Sequence, residues 1–332
     1  MRIWNWIVGL FRRRNAQDEP PREPHLDERY TRDAVAASAA RAAEAGINAK
    51  GPPRPDRHPG LDRCTGPAGA RRIPVAHREA AMSAALKPKP SMTDAEWEAR
   101  CELAALYRVV DHLGWTDLIN THMSVRVPGE PNAFLINAYG EMFDEITASS
   151  LVKMDLDGRV LDEGGKFNNA GFTIHSGVYK GAATANCVMH THTRAGAGIS
   201  LIQNGLRPIS QDALQILDEV IYHPYGVPAS QEECDELARN CQAGSCVVLL
   251  NHGLLTHAPT VHGAFYRMWN MERACELEVM ARTMNITPIP IDPAVVQKAA
   301  ERLRKRINTP EWGRAEFAGL VRTVERKGAF RK

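Results

Sequence analysis

Two short apolar runs that each end in histidine constrain the fold of this chain more than any other feature. The first run is Cys187–Thr193, in which His190 and His192 lie two residues apart. Side chains two apart on a strand point to the same face of a sheet, so this run predicts a strand that ends in a pair of imidazoles. The second run, Val247–Gly253, carries His252 where apolar residues give way to glycine. The sequence therefore predicts a sheet whose strand ends present three histidines.

Three convergent histidines have the donor chemistry of a metal centre. Neutral imidazole nitrogen is a ligand for zinc, iron, copper and nickel. Three protein ligands with an open position are typical of a catalytic centre, whereas a structural centre usually closes with four. We therefore predict that His190, His192 and His252 hold a divalent metal, zinc first, with iron or manganese as alternatives. A His-x-His pair can also be two hydrogen-bonded histidines at a strand end, and the spacing alone does not distinguish the two.

The first 90 residues differ in composition from the rest of the chain. They hold 11 of the 21 prolines and few apolar residues at any period, which predicts a disordered or non-native leader over residues 1–90. The apolar run from Ile3 to Phe11 is too short to span a bilayer, and its arginines follow the run, unlike those of a secretory signal. We predict a folded domain over residues 91–290 and a helical extension over residues 291–332 that packs on it.

Composition excludes several classes of protein. The net charge of +2 gives no indication of nucleic-acid binding, and 44% hydrophobic residues suffice for a full core. The seven cysteines are scattered without paired CxxC spacing, which favours reduced thiols in a cytosolic protein. We therefore expect a cytoplasmic protein that acts on a small molecule, without nucleic acid and without stable insertion into a membrane.

Capping signals locate several helices. Thr93–Glu96 and Ser230–Glu233 have the capping-box pattern, and Thr260 precedes a long apolar stripe. Proline after Asp292 and after Thr309 predicts two further helices near the C-terminus. Short alternating runs between these helices predict strands. The fold class is therefore α/β, with a mostly antiparallel central sheet flanked by helices.

Five segments together resemble the class II aldolase/adducin family. They are NTHMSVRVPGEP (Asn120–Pro131), FLINAYGEMFDEITASSLVKMDLDG (Phe134–Gly158), NNAGFTIHSGVY (Asn168–Tyr179), HTHT (His190–Thr193) and NHGLLT (Asn251–Thr256). The resemblance runs from about residue 95 to residue 285, and the order and separations of the segments also agree. It implies a class II aldolase-like three-layer fold and a homotetramer with sites at subunit interfaces. It also implies that the three histidines hold zinc.

Three departures from the family's aldolases favour its adducin-like branch, with a head domain only. The resemblance implies an acid/base glutamate at the position that Gly171 occupies here. The glycine-asparagine pair that holds phosphate in the sugar-phosphate aldolases corresponds to Thr121 and His122, ahead of Ser124. A tyrosine donated by the neighbouring subunit corresponds to a position near Gln211.

Other residues are candidates for catalysis or substrate binding. His175 is the first choice as proton carrier because an imidazole titrates near neutral pH, although a helical histidine is as readily bonded to backbone. Glu145 and Tyr225 are weaker candidates. Arg126 is either a ligand for an anionic substrate or a surface ion-pair partner. The candidate substrate-binding residues are Asn120, His122, Ser124, Arg126, Asn169 and Gln211.

Three functions compete at this point. The first is a metal-dependent lyase that performs aldol cleavage or decarboxylation of a small hydroxy/oxo acid or sugar derivative through a metal-stabilised enediolate. The second is a non-catalytic, adducin-like oligomeric binding head. The third is a non-heme iron oxygenase or decarboxylase on the same fold. We favour the lyase, because a purely structural role gives no reason for three convergent histidines.

Overall fold

The computed structural model describes residues 92–162, 165–202 and 204–332. The predicted leader over residues 1–90 lies outside the described residues. The helices are α1 (Asp94–His112), α2 (Asn169–Gly181), α3 (Arg194–Ser200), α4 (Gln211–Leu214), α5 (Gln231–Asn240), α6 (Val261–Thr283), α7 (Pro293–Arg304) and α8 (Arg314–Glu325). The strands are β1 (His122–Arg126), β2 (Ala133–Ile136), β3 (Val152–Asp155), β4 (Cys187–Thr191), β5 (Val220–His223), β6 (Cys246–Leu249) and β7 (Gly253–Ala258).

The seven strands of the described residues form one sheet in the order β3-β2-β1-β4-β7-β6-β5. From β3 to β6 every neighbouring pair is antiparallel, whereas β5 pairs with β6 in parallel. The sheet is therefore mixed. The prediction of a mostly antiparallel sheet did not include the parallel pair at the edge that β5 forms. The reason lies in α5, which crosses over between β5 and β6, since two parallel strands need such a connection.

Apolar side chains fill both faces of the sheet, which gives three layers. Along β4, Met189 belongs to the cluster that also contains Leu106 and Phe265 from α1 and α6. Val188 points the other way and belongs to the cluster with Val178 and Leu237 from α2 and α5. This alternation is what a strand buried on both faces requires. The central strand β4 is consequently held between two helical layers, and its end is fixed in position.

The predicted capping residues begin their helices. The Thr93 hydroxyl accepts a hydrogen bond from the Glu96 amide at 3.1 Å, and α7 begins at Pro293. The helix predicted after Thr309 begins later, at Arg314. Residues 309–313 form turns instead, in which the Pro310 carbonyl accepts a hydrogen bond from His262 at 2.9 Å.

The C-terminal residues pack against the helical layer formed by α1 and α6. The rings of Phe317 and Phe265 lie 5.4 Å apart, and those of Trp312 and Tyr266 lie 4.8 Å apart. Phe330 is buried, and its carbonyl accepts a hydrogen bond from the Ala148 amide. Within the described residues all six cysteines are buried and free of disulfides. In the same part of the chain, every helix is too short or too polar to cross a bilayer.

Candidate metal centre

The three predicted histidines meet at one end of the central strands. His190 lies on β4, His192 follows the end of that strand, and His252 lies in the turn from β6 to β7. The turn is sharp because Asn251 adopts a φ of 59°. The ring centroids of the three histidines lie 4.6, 4.7 and 4.8 Å apart, and one nitrogen from each lies within 4.8 Å of the other two.

Hydrogen bonds fix the proton of two of these rings on the nitrogen away from the centre. Nδ1 of His190 donates to the Leu254 carbonyl at 2.9 Å, and Nδ1 of His192 donates to the Asp117 carboxylate at 2.8 Å. When both rings are neutral, their Nε2 atoms, which lie 2.9 Å apart, present lone pairs to each other. Such a pair is repulsive unless a cation is shared between them. The donor set therefore fits a divalent metal, and Asp117 supplies the carboxylate that commonly orients a metal-bound histidine.

Burial keeps the imidazoles of His190 and His252 neutral at physiological pH. The pKa of His190 lies well below its ordinary value because the ring is buried, and the neighbouring histidines lower it further. Burial, followed by repulsion from His192 and His223, lowers the pKa of His252 to about 4. A metal needs the neutral form of histidine, so His190 and His252 are in the binding state without the loss of a proton.

The three histidines open onto a cavity of about 290 Å³. Its other polar lining residues are Asn120, His122, Asn168, His223, Tyr225 and Glu233. Among the described lining residues there is no lysine or arginine, and Glu233 is the one carboxylate. The described lining therefore offers hydrogen-bonding groups and one carboxyl group, but no lysine or arginine, to whatever binds beside the histidines.

Besides the three predicted metal ligands, three of the predicted site residues line this cavity. They are Asn120, His122 and Tyr225, and the Tyr225 ring lies 6.3 Å from that of His252. His175 and Ser124 lie behind His122 and do not line the cavity. His175 is fully buried, and its Nε2 lies 2.8 Å from Nδ1 of His122.

Four further predicted site residues do not line the cavity. Glu145 is exposed and accepts a hydrogen bond from the Met142 amide within its own turn. Asn169 and Gln211 are the exposed first residues of α2 and α4. Arg126 lies four residues beyond His122 on β1, which amounts to about 13 Å along a strand.

Arg126 is bound to backbone instead of facing the cavity. Its guanidinium donates to the carbonyls of Ala185, Pro131 and Tyr179 and stacks over the Tyr179 ring at 4.5 Å from the centroid. These contacts hold the end of β1 against α2. The structure therefore gives this arginine a packing role, and its place among the substrate ligands stays a prediction.

Sequence reasoning missed Asp117, His223 and Glu233. His223 ends the apolar strand β5, which is the same signal that pointed to His190, so it was available in the sequence. Glu233 was interpreted only as part of a capping box, yet one of its oxygens lies 3.2 Å from Nε2 of His223. Asp117 is 75 residues from the histidine that it contacts, and nothing in its local sequence indicates the pairing.

Comparison with known proteins agrees with the fold. The family model described as class II aldolase and adducin N-terminal domain matches residues 101–279. A putative class 2 aldolase of Pseudomonas aeruginosa is 41% identical over 237 residues, which are 70% of this chain and 91% of that protein.

Two further proteins extend the comparison. The crystal structure of an aldolase II superfamily protein from Pseudomonas syringae superposes with a TM-score of 0.68 at 37% identity, over 73% of this chain and 98% of that one. Alpha-adducin of Rattus norvegicus is 38% identical over 246 residues, which are 69% of this chain and 33% of that protein. The similarity thus extends to proteins named as aldolases and to one named as an adducin.

Proposed function

The chain belongs to the class II aldolase and adducin family, and on that premise we propose that it is a metal-dependent carbon–carbon lyase. It cleaves or decarboxylates a small hydroxy/oxo acid or a sugar derivative. The observation that carries the proposal is the 2.9 Å separation of the Nε2 atoms of His190 and His192, whose protons are held on the opposite nitrogens. Together with His252, they form a site with three nitrogen donors beside a cavity.

A divalent metal held by these histidines, zinc first, supplies a Lewis acid that polarises a substrate hydroxyl or carbonyl oxygen. The protein's own contribution is to hold the ligands rigidly. The Leu254 carbonyl and the Asp117 carboxylate fix two of the rings, so little reorganisation is needed when a metal binds. Three protein ligands also leave a coordination position for substrate.

The chemistry of the cavity favours a substrate without a phosphate group. Phosphate is commonly held by arginine, by lysine or by backbone amides. The described cavity lining has no such cation and carries the carboxylate of Glu233. Asn120 and Asn168 offer amide groups that suit hydroxyls. A hydroxy/oxo acid meets these conditions, since its carboxylate has the metal as a partner.

Elemental analysis of protein purified without a polyhistidine tag tests the proposal. We expect about one zinc, or another divalent metal, per chain in the unmodified protein, and loss of that metal in His190→Ala and in His252→Ala. The matched control is His112→Ala, which changes an exposed histidine outside the cavity. Equal metal content in all four proteins would refute the metal centre.

Turnover assays on the metal-loaded protein then test the reaction. We expect cleavage or decarboxylation of unphosphorylated hydroxy/oxo acids and weaker activity on their phosphorylated counterparts. Ferrous iron together with oxygen consumption would support the oxygenase instead. The assays should include both aldol and decarboxylation substrates, because the cavity chemistry is compatible with either reaction.

The identity with alpha-adducin supports a second candidate, an oligomeric binding head without catalysis. A chain with neither bound metal nor turnover would favour this candidate. The homotetramer and the cytoplasmic location remain predictions. Light scattering coupled to size-exclusion chromatography measures the first, and fractionation of the native cells measures the second.

A further inference from the structure

A buried chain of hydrogen bonds ends at the wall of the cavity. The Tyr179 hydroxyl lies 2.8 Å from Oγ of Ser124, which in turn is hydrogen-bonded to Nδ1 of His175. Nε2 of His175 lies 2.8 Å from Nδ1 of His122. All four side chains are at least 97% buried, and only His122 lines the cavity. This hydrogen-bond chain therefore connects the interior of the helical layer that contains α2 to the cavity through the imidazole of His122.

The partners of these groups set the direction of donation. Among the described residues, the Tyr179 hydroxyl has Ser124 as its one hydrogen-bond partner, so its proton has to go there. Ser124 must then donate its own proton to Nδ1 of His175. The reverse direction would leave a buried hydroxyl proton unpaired, which is costly.

The same direction continues through the two imidazoles. Because Nδ1 of His175 accepts, the proton of that ring lies on Nε2 and is donated to Nδ1 of His122. The proton of His122 is then left on its own Nε2. Burial keeps both His175 and Tyr179 neutral, since it lowers the pKa of His175 to about 3 and raises that of Tyr179 well above its ordinary value.

The ring of His122 forms part of the cavity wall beside the metal ligands. Nε2 has no hydrogen-bond partner among the described residues, and His122 lines the cavity. Its ring centroid lies 5.0 Å from that of His190. A Cβ at Gly171 would lie only 2.8 Å from Cδ2 of His122, so the ring fills the space next to that glycine.

We propose that His122 donates its Nε2–H to a carbonyl or carboxylate oxygen of the substrate, and that Tyr179, Ser124 and His175 are positioning residues that hold it in this tautomer. The proposal rests on the proposed lyase function and adds a constraint to it. The substrate must place an accepting oxygen against this wall, where a preorganised neutral donor stabilises negative charge as it develops. His122, not His175, is then the histidine that touches substrate.

The tautomer is measured directly by two-bond ¹⁵N–¹H correlation spectra of the full-length, zinc-treated protein labelled with ¹⁵N-histidine. We expect His122 and His175 both to be protonated at Nε2. Ser124→Ala removes the donor to His175 and should populate the Nδ1 tautomer of His122. The matched control is Ser176→Ala. Ser176 is next to His175 in the sequence and is as buried as Ser124, but it takes no part in the hydrogen-bond chain. Nδ1 protonation of His122 in the unmodified protein, or a tautomer that Ser124→Ala leaves unchanged, overturns the proposal.

Binding of oxalate, a stable mimic of a bidentate oxo acid, measures how much the N–H of His122 contributes to affinity. His122→Phe keeps a ring but removes the N–H, and we expect calorimetry on the zinc-loaded protein to show an affinity for oxalate about tenfold weaker. Ser176→Ala should bind oxalate as the unmodified protein does. Equal affinity in His122→Phe and the unmodified protein would overturn the proposal. If the protein binds neither zinc nor oxalate, the proposed lyase function is refuted. The tautomer of His122 in the NMR spectra still decides whether its Nε2–H is the donor.

Discussion

The ring of His122 occupies the space that a side chain at position 171 would need. A Cβ built on Gly171 would lie 2.8 Å from Cδ2 and 3.1 Å from Cγ of that ring. The ring is held in place because its Nδ1 lies 2.8 Å from Nε2 of His175. Gly171 and the buried histidine therefore belong to one packing arrangement, in which either a side chain at position 171 or this imidazole fits, but not both.

A double-mutant cycle tests this exclusion. Gly171→Ala should destabilise the protein by about 1–3 kcal/mol, because the new methyl group overpacks against a ring that cannot move. In a His122→Ser background the same change should be neutral or stabilise by about 0.5–1 kcal/mol, as alanine does in a helix. Urea denaturation measures both values.

The control for this cycle is Gly319→Ala in α8. A Cβ there would meet only an Arg322 side-chain nitrogen at 3.7 Å, so the change should stabilise the protein in either background. If Gly171→Ala costs the same free energy with and without the His122 ring, the conflict lies elsewhere in the packing.

A second prediction concerns the carboxylate that orients His192. Asp117 accepts a hydrogen bond from Nδ1 of that ring at 2.8 Å. Asp117→Ala should lower zinc affinity by about 10- to 100-fold, because the ring is then free to rotate and its tautomer is no longer fixed. Competition with a chromophoric chelator measures the affinity. Asp157→Ala, an exposed aspartate in a turn, should leave it unchanged. Equal zinc affinity in both variants would show that Asp117 does not orient the ligand.

A third prediction concerns the pH dependence of stability. Glu272 is 3% exposed and accepts a hydrogen bond from Thr193. Burial raises its pKa from 4.5 to about 7. The folded protein therefore binds more protons than the unfolded chain between these values, and the stabilising contribution falls as pH rises through that window.

The comparison with Glu272→Gln isolates this effect, since the amide does not titrate. Relative to that variant, the unmodified protein should lose about 3 kcal/mol of unfolding free energy between pH 4 and pH 8. Urea denaturation of both proteins at several pH values gives the difference. A difference that stays constant with pH would show that Glu272 titrates alike in the folded and unfolded states.

A fourth prediction separates packing from substrate binding at Arg126. Arg126→Met removes donors to three carbonyls and the stacking on Tyr179, so it should destabilise the protein by about 1–3 kcal/mol. Zinc content should not change. Arg159→Met, at a side chain that is 77% exposed, should alter stability by less than about 0.5 kcal/mol. Loss of zinc in Arg126→Met without loss of stability would contradict the packing role.

Local signals were sufficient for most of the fold. The capping hydroxyls of Thr93 and Ser230 accept from the amides that the sequence predicts, at 3.1 Å in each case. The alternation in β4 correctly indicated a strand whose end carries the paired histidines. The start of α8 was predicted four residues too early, because the contact between His262 and Pro310 joins residues 48 apart and overrides the local preference of proline.

The site was predictable only where a residue carries its own signal. His190 and His252 end apolar strands, and the structure brings their rings to within 4.7 Å of each other. Arg126 and Glu145 are chemically suitable for a site, but the strand and the turn that carry them lead away from the cavity. The chemistry of a side chain, without its position in the fold, was therefore not sufficient to identify residues that line the cavity.

The sequence by itself determined the type of fold, the family and the identity of the three histidines, because strand alternation, capping and motif spacing are local properties of the chain. Only the tertiary structure decided which groups act on those histidines. The pairing of Asp117 with His192, and each link of the hydrogen-bond chain from Tyr179 to His122, join residues that are 51 to 75 positions apart. The direction of a buried hydrogen bond depends on every partner in its surroundings, and those surroundings exist only after the sheet and its two helical layers have packed together.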